Sequence, residues 1–211
     1  MLALSEYFAE PPHIEWFGDR PFAFSRLSRE YAERLEKAAI AKEDDIKALP
    51  VSPGWETVAE INPTTARFSR YSAFLIMPVT LPLFFAIRET YWHLLEALDQ
   101  KPAGRFIQCW FNIHRSGQSL PRHHHVYPFI GTFSAHAEGG ETRYGNSKQE
   151  SDSDAIMPHT NGQLVITTGP NHYHNTSPWT DAERPRVTYA FDIVEAENWN
   201  TRQFFLPFDF A

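Results

Sequence analysis

Residues 121–125 read Pro121-Arg122-His123-His124-His125, and a second histidine pair, His172 and His174, follows downstream. Neutral imidazole is the commonest protein ligand for a first-row metal ion. Strand side chains alternate between the two faces, so His123 and His125 share one face of an extended segment and His124 points the other way. His174 supplies a distant ligand on a neighbouring strand. The spacing predicts a metal site built from His123, His125 and His174, with open coordination positions.

Three consecutive histidines also fit a solvated loop, with His172 and His174 as hydrogen-bonded surface residues. The residues around Arg186 favour the metal site instead. Alternation along residues 183–192 places Arg186, Thr188 and Ala190 on one strand face. An arginine fork beside a hydroxyl group is suited to a buried carboxylate ligand.

The composition narrows the class of protein. The chain has 211 residues, 42% of them hydrophobic and 15% aromatic, which is enough for one well-packed domain. A formal net charge of -7 argues against a nucleic-acid backbone as the main partner, because that binding depends on an excess of Lys and Arg. We therefore expect a small-molecule or protein substrate.

Sequence signals for export and membrane insertion are absent. Cys109 is the only cysteine, so no intrachain disulfide forms. Residues 1–6 lack the basic and apolar regions of a signal peptide. The longest apolar run, residues 73–87, contains Pro78 and Pro82 and is shorter than the ~20 residues of a membrane span. These features predict a cytoplasmic protein that does not enter a membrane.

The first half of the chain predicts supporting elements. Residues 1–24 are rich in aromatics and proline and are expected to form an arm across the outside of the core. A first helix is capped by Ser25 or Ser28 and ends by Pro50, and a second begins after Thr80 and continues to Leu98. We assign residues 1–104 to this arm and these helices, and 105–211 to the core of one structural domain.

From Arg105 onward the periodicity changes to that of strands. In residues 106–114 the apolar side chains alternate with Gln108, Trp110, Asn112 and His114, whose face meets solvent or, in a closed barrel, lines the lumen. Further strands are predicted at 130–137, 142–145, 163–168 and 187–194. Residues 145–160 are either a plain surface loop or a mobile lid, and residues 204–208 a docked tail.

Several short passages resemble the Fe(II)- and 2-oxoglutarate-dependent oxygenases, in particular the prolyl-hydroxylase-like members and the branch whose metal motif is His-x-His. The resemblance covers residues 105–194 and is carried by four passages: Cys109-Trp110-Phe111-Asn112-Ile113, the 123–125 histidines, Glu138-Gly139-Gly140-Glu141-Thr142, and His174 with Arg186-Val187-Thr188. It implies a mainly β fold with flanking helices around a double-stranded β-helix, a jelly-roll or cupin-like core. It also implies Fe(II) on His123, His125 and His174, and 2-oxoglutarate bound by Arg186, Thr188, Asn112 and Trp110.

The sequence departs from this family in one respect. Most members carry His-x-Asp or His-x-Glu, whereas no carboxylate follows His123, His124 or His125 at that spacing. Three alternatives remain: His125 replaces the carboxylate, only two protein ligands bind, or the ligands are His136 and Glu138.

The resemblance implies a dioxygenase that uses O2 to hydroxylate a C–H bond of a small or amino-acid-like substrate. Trp110, Asn112, Gln108 and Tyr127 are candidate pocket residues. A three-histidine cupin that oxidises thiols directly is the second interpretation, and a non-catalytic cupin-like binding module is the third. The sequence gives no information on oligomeric state.

Overall fold

Two antiparallel sheets form the centre of the protein. The computed structural model describes residues 7–170, 172–197 and 204–210. The strands are β1 Phe8–Phe17, β2 Arg20–Leu27, β3 Phe106–His114, β4 His123–His124, β5 Phe129–His136, β6 Glu141–Gly145, β7 Ala155–Pro158, β8 Gln163–Thr168, β9 Tyr173–Thr176, β10 Arg186–Val194 and β11 Leu206–Pro207. The helices are α1 Arg29–Lys47, α2 Glu56–Ala59, α3 Ala73–Ile76 and α4 Leu81–Ala97, with 3-10 turns at Thr65–Arg70 and Pro78–Thr80.

The seven-stranded sheet has the order β1-β2-β8-β5-β10-β3-β11, and the four-stranded sheet the order β4-β9-β6-β7. Strands that are distant in the chain lie side by side in both sheets, which is the arrangement of a double-stranded β-helix. The predicted fold class, mainly β with flanking helices, is confirmed.

The two long helices begin where their capping signals predicted. The Ser28 side chain accepts a hydrogen bond from the backbone N–H of Tyr31 at the start of α1, so Ser28 rather than Ser25 is the cap. Pro82 lies in the first turn of α4. The Tyr189 hydroxyl donates to the Leu35 carbonyl at 2.8 Å, which fixes α1 against β10. The helices therefore cover the outer face of the seven-stranded sheet.

The N-terminal segment differs from the expected arm. Residues 8–27 form β1 and β2, and β2 pairs with β8, so this segment extends the main sheet. The Pro11-Pro12 pair lies at a register shift between Glu10 and His13, on an edge strand. Proline is tolerated at such bulges because no ladder hydrogen bond is lost there. The division at residue 104 stays a prediction, and residues 1–6 lie outside the described ranges.

The alternation predicted along β3 is present. Ile107, Cys109, Phe111 and Ile113 are buried in the core beneath the helices. Trp110, Asn112 and His114 face the space between the two sheets, while the Gln108 amide donates to the Phe68 and Tyr71 carbonyls. The polar face of β3 thus lines an interior.

Two further expectations concern the C-terminal half. Within the 145–160 segment, residues 155–158 form β7 and pair with β6, and Arg122 forms an ion pair with Asp154 at 2.8 Å. The tail is docked as predicted, because β11 pairs with β3 and Phe208 is buried. In the part of the chain that the structure describes, no helix has both the length and the apolar character to cross a membrane.

Gly131 is expected to be essential for the packing of the main sheet. A Cβ at this position would overlap the ring of Phe191 and the carbonyl oxygen of Val165. Gly131→Ala should therefore lower the free energy of unfolding by about 1–3 kcal/mol or more, measured by denaturant titration. Gly139→Ala is the comparison, because φ there is +93° but nothing lies within 4 Å of the added Cβ. A smaller loss at Gly131 than at Gly139 would contradict the steric explanation.

Candidate metal centre and ligand cavity

A cavity of about 230 Å³ lies between the two sheets. One wall comes from β3, β5 and β10, and the facing wall from β4, β6 and β9. The lining residues from these strands are Trp110, Asn112, His114, Ile130, Gly131, Thr132, Thr188, Ala190, Phe191, Asp192, His123, His124, Thr142, Tyr144, His174 and Thr176. The polar strand faces predicted from sequence therefore line a cavity between the sheets, as ligand-binding sites in such barrels do.

His123, His125 and His174 converge at one point of this cavity. In the antiparallel pairing of β4 with β9, His123 lies directly opposite His174. The ring centroids are 4.3 Å apart for His123 and His174, 5.1 Å for His123 and His125, and 5.2 Å for His125 and His174. One nitrogen from each ring lies within 4.8 Å of the others. His124 is exposed and packs against Tyr173.

Hydrogen bonds orient two of the rings. His123 Nδ1 lies 2.9 Å from the Pro121 carbonyl and His125 Nδ1 lies 2.6 Å from Asp192 Oδ1. Both partners are acceptors, so each Nδ1 carries the proton and each Nε2 of a neutral ring presents a lone pair. These two Nε2 atoms are 3.2 Å apart. Two lone pairs that face each other at that distance repel, and a cation bound by both nitrogens would remove the repulsion.

Burial keeps His123 and His174 in the neutral form that binds metal. Burial, and then the neighbouring His125, lowers the pKa of His123 to about 3. Burial, and then His123, lowers the pKa of His174 well below its usual value, and His174 Nδ1 has no hydrogen-bond partner among the described residues. Metal ligation requires neutral imidazole, so both shifts favour it. Imidazole donors suit iron, zinc, copper and nickel alike.

Asp192 was not identified from the sequence. It continues the alternation of Arg186, Thr188 and Ala190 along β10, is 1% exposed, and holds His125 through its carboxylate. An acidic residue at an inward position of an apolar strand is the signal that would have found it. Asp192 thus brings a carboxylate to the histidine cluster through its hydrogen bond to His125.

Arg186 lies at the other end of the same face of β10 and is fully buried, with 0% of its surface exposed to solvent. Its guanidinium donates to His114 Nδ1, Thr176 Oγ1 and the Ser177 carbonyl. No carboxylate of the described residues pairs with it, and burial lowers its pKa to about 10. A buried charge without a counter-charge is costly, so this site fits an anionic ligand.

Of the other predicted site residues, all but Gln108 line the cavity, but Thr188 does not contact Arg186. Asn112 donates to the Thr188 hydroxyl at 3.2 Å and accepts from Thr65 at 2.7 Å. The hydroxyl beside Arg186 is thus that of Thr176 rather than Thr188. Trp110 lines the cavity and stacks on His125, with the centroids 6.3 Å apart. Tyr127 also lines the cavity, and Gln108 does not.

The remaining histidines lie outside the cluster. His136 Nδ1 contacts the Pro185 carbonyl, and Glu138 is exposed and contacts Asn161. Neither belongs to a metal-ligand group in the described ranges. His172 is buried against Phe22 and Tyr144. Of the three ligand alternatives, the geometry supports the one in which His125 joins His123 and His174.

Trp55 and Phe68 line the cavity although they come from the N-terminal half. Both residues belong to the connection between α1 and α3, which contains α2 and the first 3-10 turn. Their two rings are 5.0 Å apart, and Phe68 packs on Trp110. No local pattern in the sequence indicates which connection folds over a distant sheet.

Neither a family model nor a curated protein matches the sequence. The structure, however, is similar to a Pseudomonas putida prolyl-4-hydroxylase, with a TM-score of 0.54 and 13% identity over 89% of this chain and 94% of that one. It is also similar to the epimerase SnoN in complex with Fe3+, alpha ketoglutarate and nogalamycin RO, with a TM-score of 0.56 and 10% identity over 83% and 79%. The chain has the fold of these oxygenases. The resemblance to the 2-oxoglutarate- and Fe(II)-dependent oxygenases is thereby confirmed at the level of the fold.

A third structure with the oxygenase fold, the non-heme monooxygenase ThoJ in its apo form, has a TM-score of 0.50 and 12% identity over 81% of this chain and 71% of that one. At identities of 10–13% these likenesses define architecture and leave the reaction open.

Proposed function

We propose that this chain is an Fe(II)- and 2-oxoglutarate-dependent oxygenase that hydroxylates a C–H bond of a small molecule, with His123, His125 and His174 as the iron ligands. The observation that carries the proposal is the convergence of these three imidazoles in the cavity between the sheets, together with a buried arginine behind the same strand face that pairs with no carboxylate of the described residues. The oxygenase fold supplies the reason to choose iron among the metals that imidazole binds.

Bound Fe(II), with 2-oxoglutarate and O2, supplies oxidation of a substrate C–H bond while the co-substrate becomes succinate and CO2. The chain's own residues bind and orient. Asp192 and the Pro121 carbonyl fix two imidazoles, and Arg186 provides positive charge for a dicarboxylate. Enclosure between the sheets excludes water from the reacting groups.

The cavity also indicates a class of prime substrate. Trp55, Phe68, Trp110, Val126 and Tyr127 contribute apolar surface, and no Lys or Arg from the described ranges is among its lining residues. Asp192, the one acidic residue among the described lining residues, already pairs with His125. We propose an uncharged substrate with a flat apolar face, since aromatic side chains stack on such groups.

Calorimetry with 2-oxoglutarate tests this function. We expect binding to Fe(II)-loaded protein and none to metal-free protein, together with succinate formation in the presence of O2. A three-histidine thiol dioxygenase is the second candidate, favoured by the lack of a carboxylate in the ligand cluster. Oxygen uptake with thiols and no 2-oxoglutarate binding would select that candidate. Ligand binding that survives metal removal would indicate a non-catalytic cupin-like module.

Asp192→Asn is expected to weaken metal binding about 10- to 100-fold, because the carboxylate raises the basicity of His125 and fixes its ring. Competition titration with Co(II) as a probe measures the change. Asp209→Asn is the matched control: Asp209 is equally buried, but its carboxylate accepts from the Tyr91 hydroxyl, away from the cavity. Equal metal affinity of the Asp192 variant and wild type would contradict the role of Asp192.

A further inference from the structure

The hydrogen bonds of Arg186 leave little of its guanidinium free. A guanidinium has five N–H donors. Nε and Nη2 donate to His114 Nδ1 at 3.2 and 2.7 Å, Nη2 also donates to Thr176 Oγ1 at 2.7 Å, and Nη1 donates to the Ser177 carbonyl at 3.0 Å. Only one N–H, on Nη1, lacks a partner among the described residues. A two-bonded fork on a ligand carboxylate is therefore not available in this arrangement.

The same contacts fix the tautomer of His114. Arginine nitrogens only donate, so His114 Nδ1 accepts and its lone pair faces the guanidinium. Burial and the Arg186 charge lower the pKa of His114 well below its usual value, which keeps the ring neutral. The single ring proton is then on Nε2. His114 lines the cavity, is 1% exposed, and its Nε2 is buried without a partner in the described part of the chain.

A second imidazole near Arg186 also has one buried ring nitrogen without a partner among the described residues. His159 lines the cavity and contacts the Thr142 hydroxyl through Nε2 at 2.8 Å, while its Nδ1 is buried and has no partner among the described residues. A Cβ on Gly140 would lie 3.3 Å from Arg186 Nη1 and 3.5 Å from His159 Nδ1, so both groups lie against this glycine. Unsatisfied buried donors are uncommon and point to an absent acceptor.

We propose that the far carboxylate of the co-substrate is received by His114 Nε2–H, and by Nδ1–H of the His159 tautomer whose Nε2 accepts from the Thr142 hydroxyl. Arg186 lies behind His114, fixes its tautomer and supplies positive charge. This inference rests on the proposed function. Arg186 is thus a positioning residue, and the direct contact belongs to the two histidines. The group that binds here is the carboxylate of a 2-oxo dicarboxylic acid that does not coordinate the metal.

Calorimetry on Co(II)-loaded protein compares the binding of two ligands to wild type, to two His114 variants and to one control variant. N-oxalylglycine is an unreactive isostere of 2-oxoglutarate, and 2-oxobutyrate has the chelating end but no far carboxylate. In His114→Asn the amide oxygen stands near the place of Nδ1 and still accepts from Arg186, but no donor remains at the place of Nε2. His114→Gln places an amide N–H close to the position of Nε2. His136→Asn is the matched control, because His136 is half-buried and bonded through Nδ1 outside the cavity.

We expect His114→Asn to weaken N-oxalylglycine binding about 10- to 100-fold, as loss of a hydrogen bond to a charged group does. Binding of 2-oxobutyrate should stay within about twofold, His114→Gln should recover part of the loss, and His136→Asn should match wild type. An unchanged affinity for N-oxalylglycine in His114→Asn overturns the inference, as does an equal loss for both ligands. If wild type binds 2-oxobutyrate but shows no preference for the dicarboxylate, the proposed co-substrate fails instead.

A measurement on wild type covers the case in which the variants do not fold. Nitrogen-15 NMR of Zn(II)-loaded protein reports which ring nitrogen of His114 carries the proton. We expect the Nε2–H form, with its proton resonance shifted by N-oxalylglycine and not by 2-oxobutyrate. An Nδ1–H form, or a resonance that N-oxalylglycine leaves unchanged, overturns the inference.

Discussion

His174→Ala is expected to lower metal affinity by at least about 100-fold, because roughly 10–16 kcal/mol of metal binding is shared among three or four ligands. Succinate formation from 2-oxoglutarate should fall in parallel. The reason is that His174 is the member of the cluster that β9 supplies, and it lies directly opposite His123 on β4. Co(II) titration and succinate assay provide the two measurements.

The three consecutive histidines supply an internal control for that result. His123→Ala and His125→Ala should lose metal as His174→Ala does, whereas His124→Ala should keep the wild-type metal affinity within about twofold, because its ring is exposed and packs on Tyr173. If loss of His124 reduced metal binding as much as loss of His125, the assigned strand face would be wrong.

Arg186→Met is expected to weaken 2-oxoglutarate binding by about 100-fold or more, because a ligand carboxylate would be buried without its counter-charge. Metal affinity should remain near that of wild type, since Arg186 does not contact the histidine cluster. The KM for 2-oxoglutarate in the succinate assay and the thermal shift caused by 2-oxoglutarate are the measurements.

Arg184→Met is the matched control, because Arg184 precedes the same strand but pairs with Glu36 outside the cavity. It should bind 2-oxoglutarate as wild type does. Succinate formation by Arg186→Met at the wild-type rate and KM would remove Arg186 from co-substrate binding.

Local patterns predicted the elements of this fold well. Ser28 and the Leu81-Pro82 pair marked the starts of α1 and α4 because capping depends on neighbouring backbone groups. Period-two alternation predicted the two faces of β3 because strand geometry fixes it. The prolines of residues 1–24 led to the wrong prediction of an irregular arm. Proline is typical of turns, but the Pro11-Pro12 pair lies at the bulge of an edge strand, where proline is also tolerated.

The partners of each side chain were less predictable. Thr188 shares a strand face with Arg186, yet the hydroxyl that contacts Arg186 comes from Thr176 on the other sheet. Asp192 lies on the predicted face, but its partner His125 is distant in sequence. Trp55 and Phe68 reach the cavity from a connecting segment with no regular period.

By itself, the sequence determined which residue types are present, which strand face each one occupies, and hence that imidazoles and a guanidinium point toward a common interior. Only the tertiary structure decided that His125 rather than His136 joins the cluster, that Asp192 supports it, and that His114 stands between Arg186 and the cavity. The reason is that alternation is a property of one strand, whereas contacts across two sheets depend on register and on how the sheets are stacked.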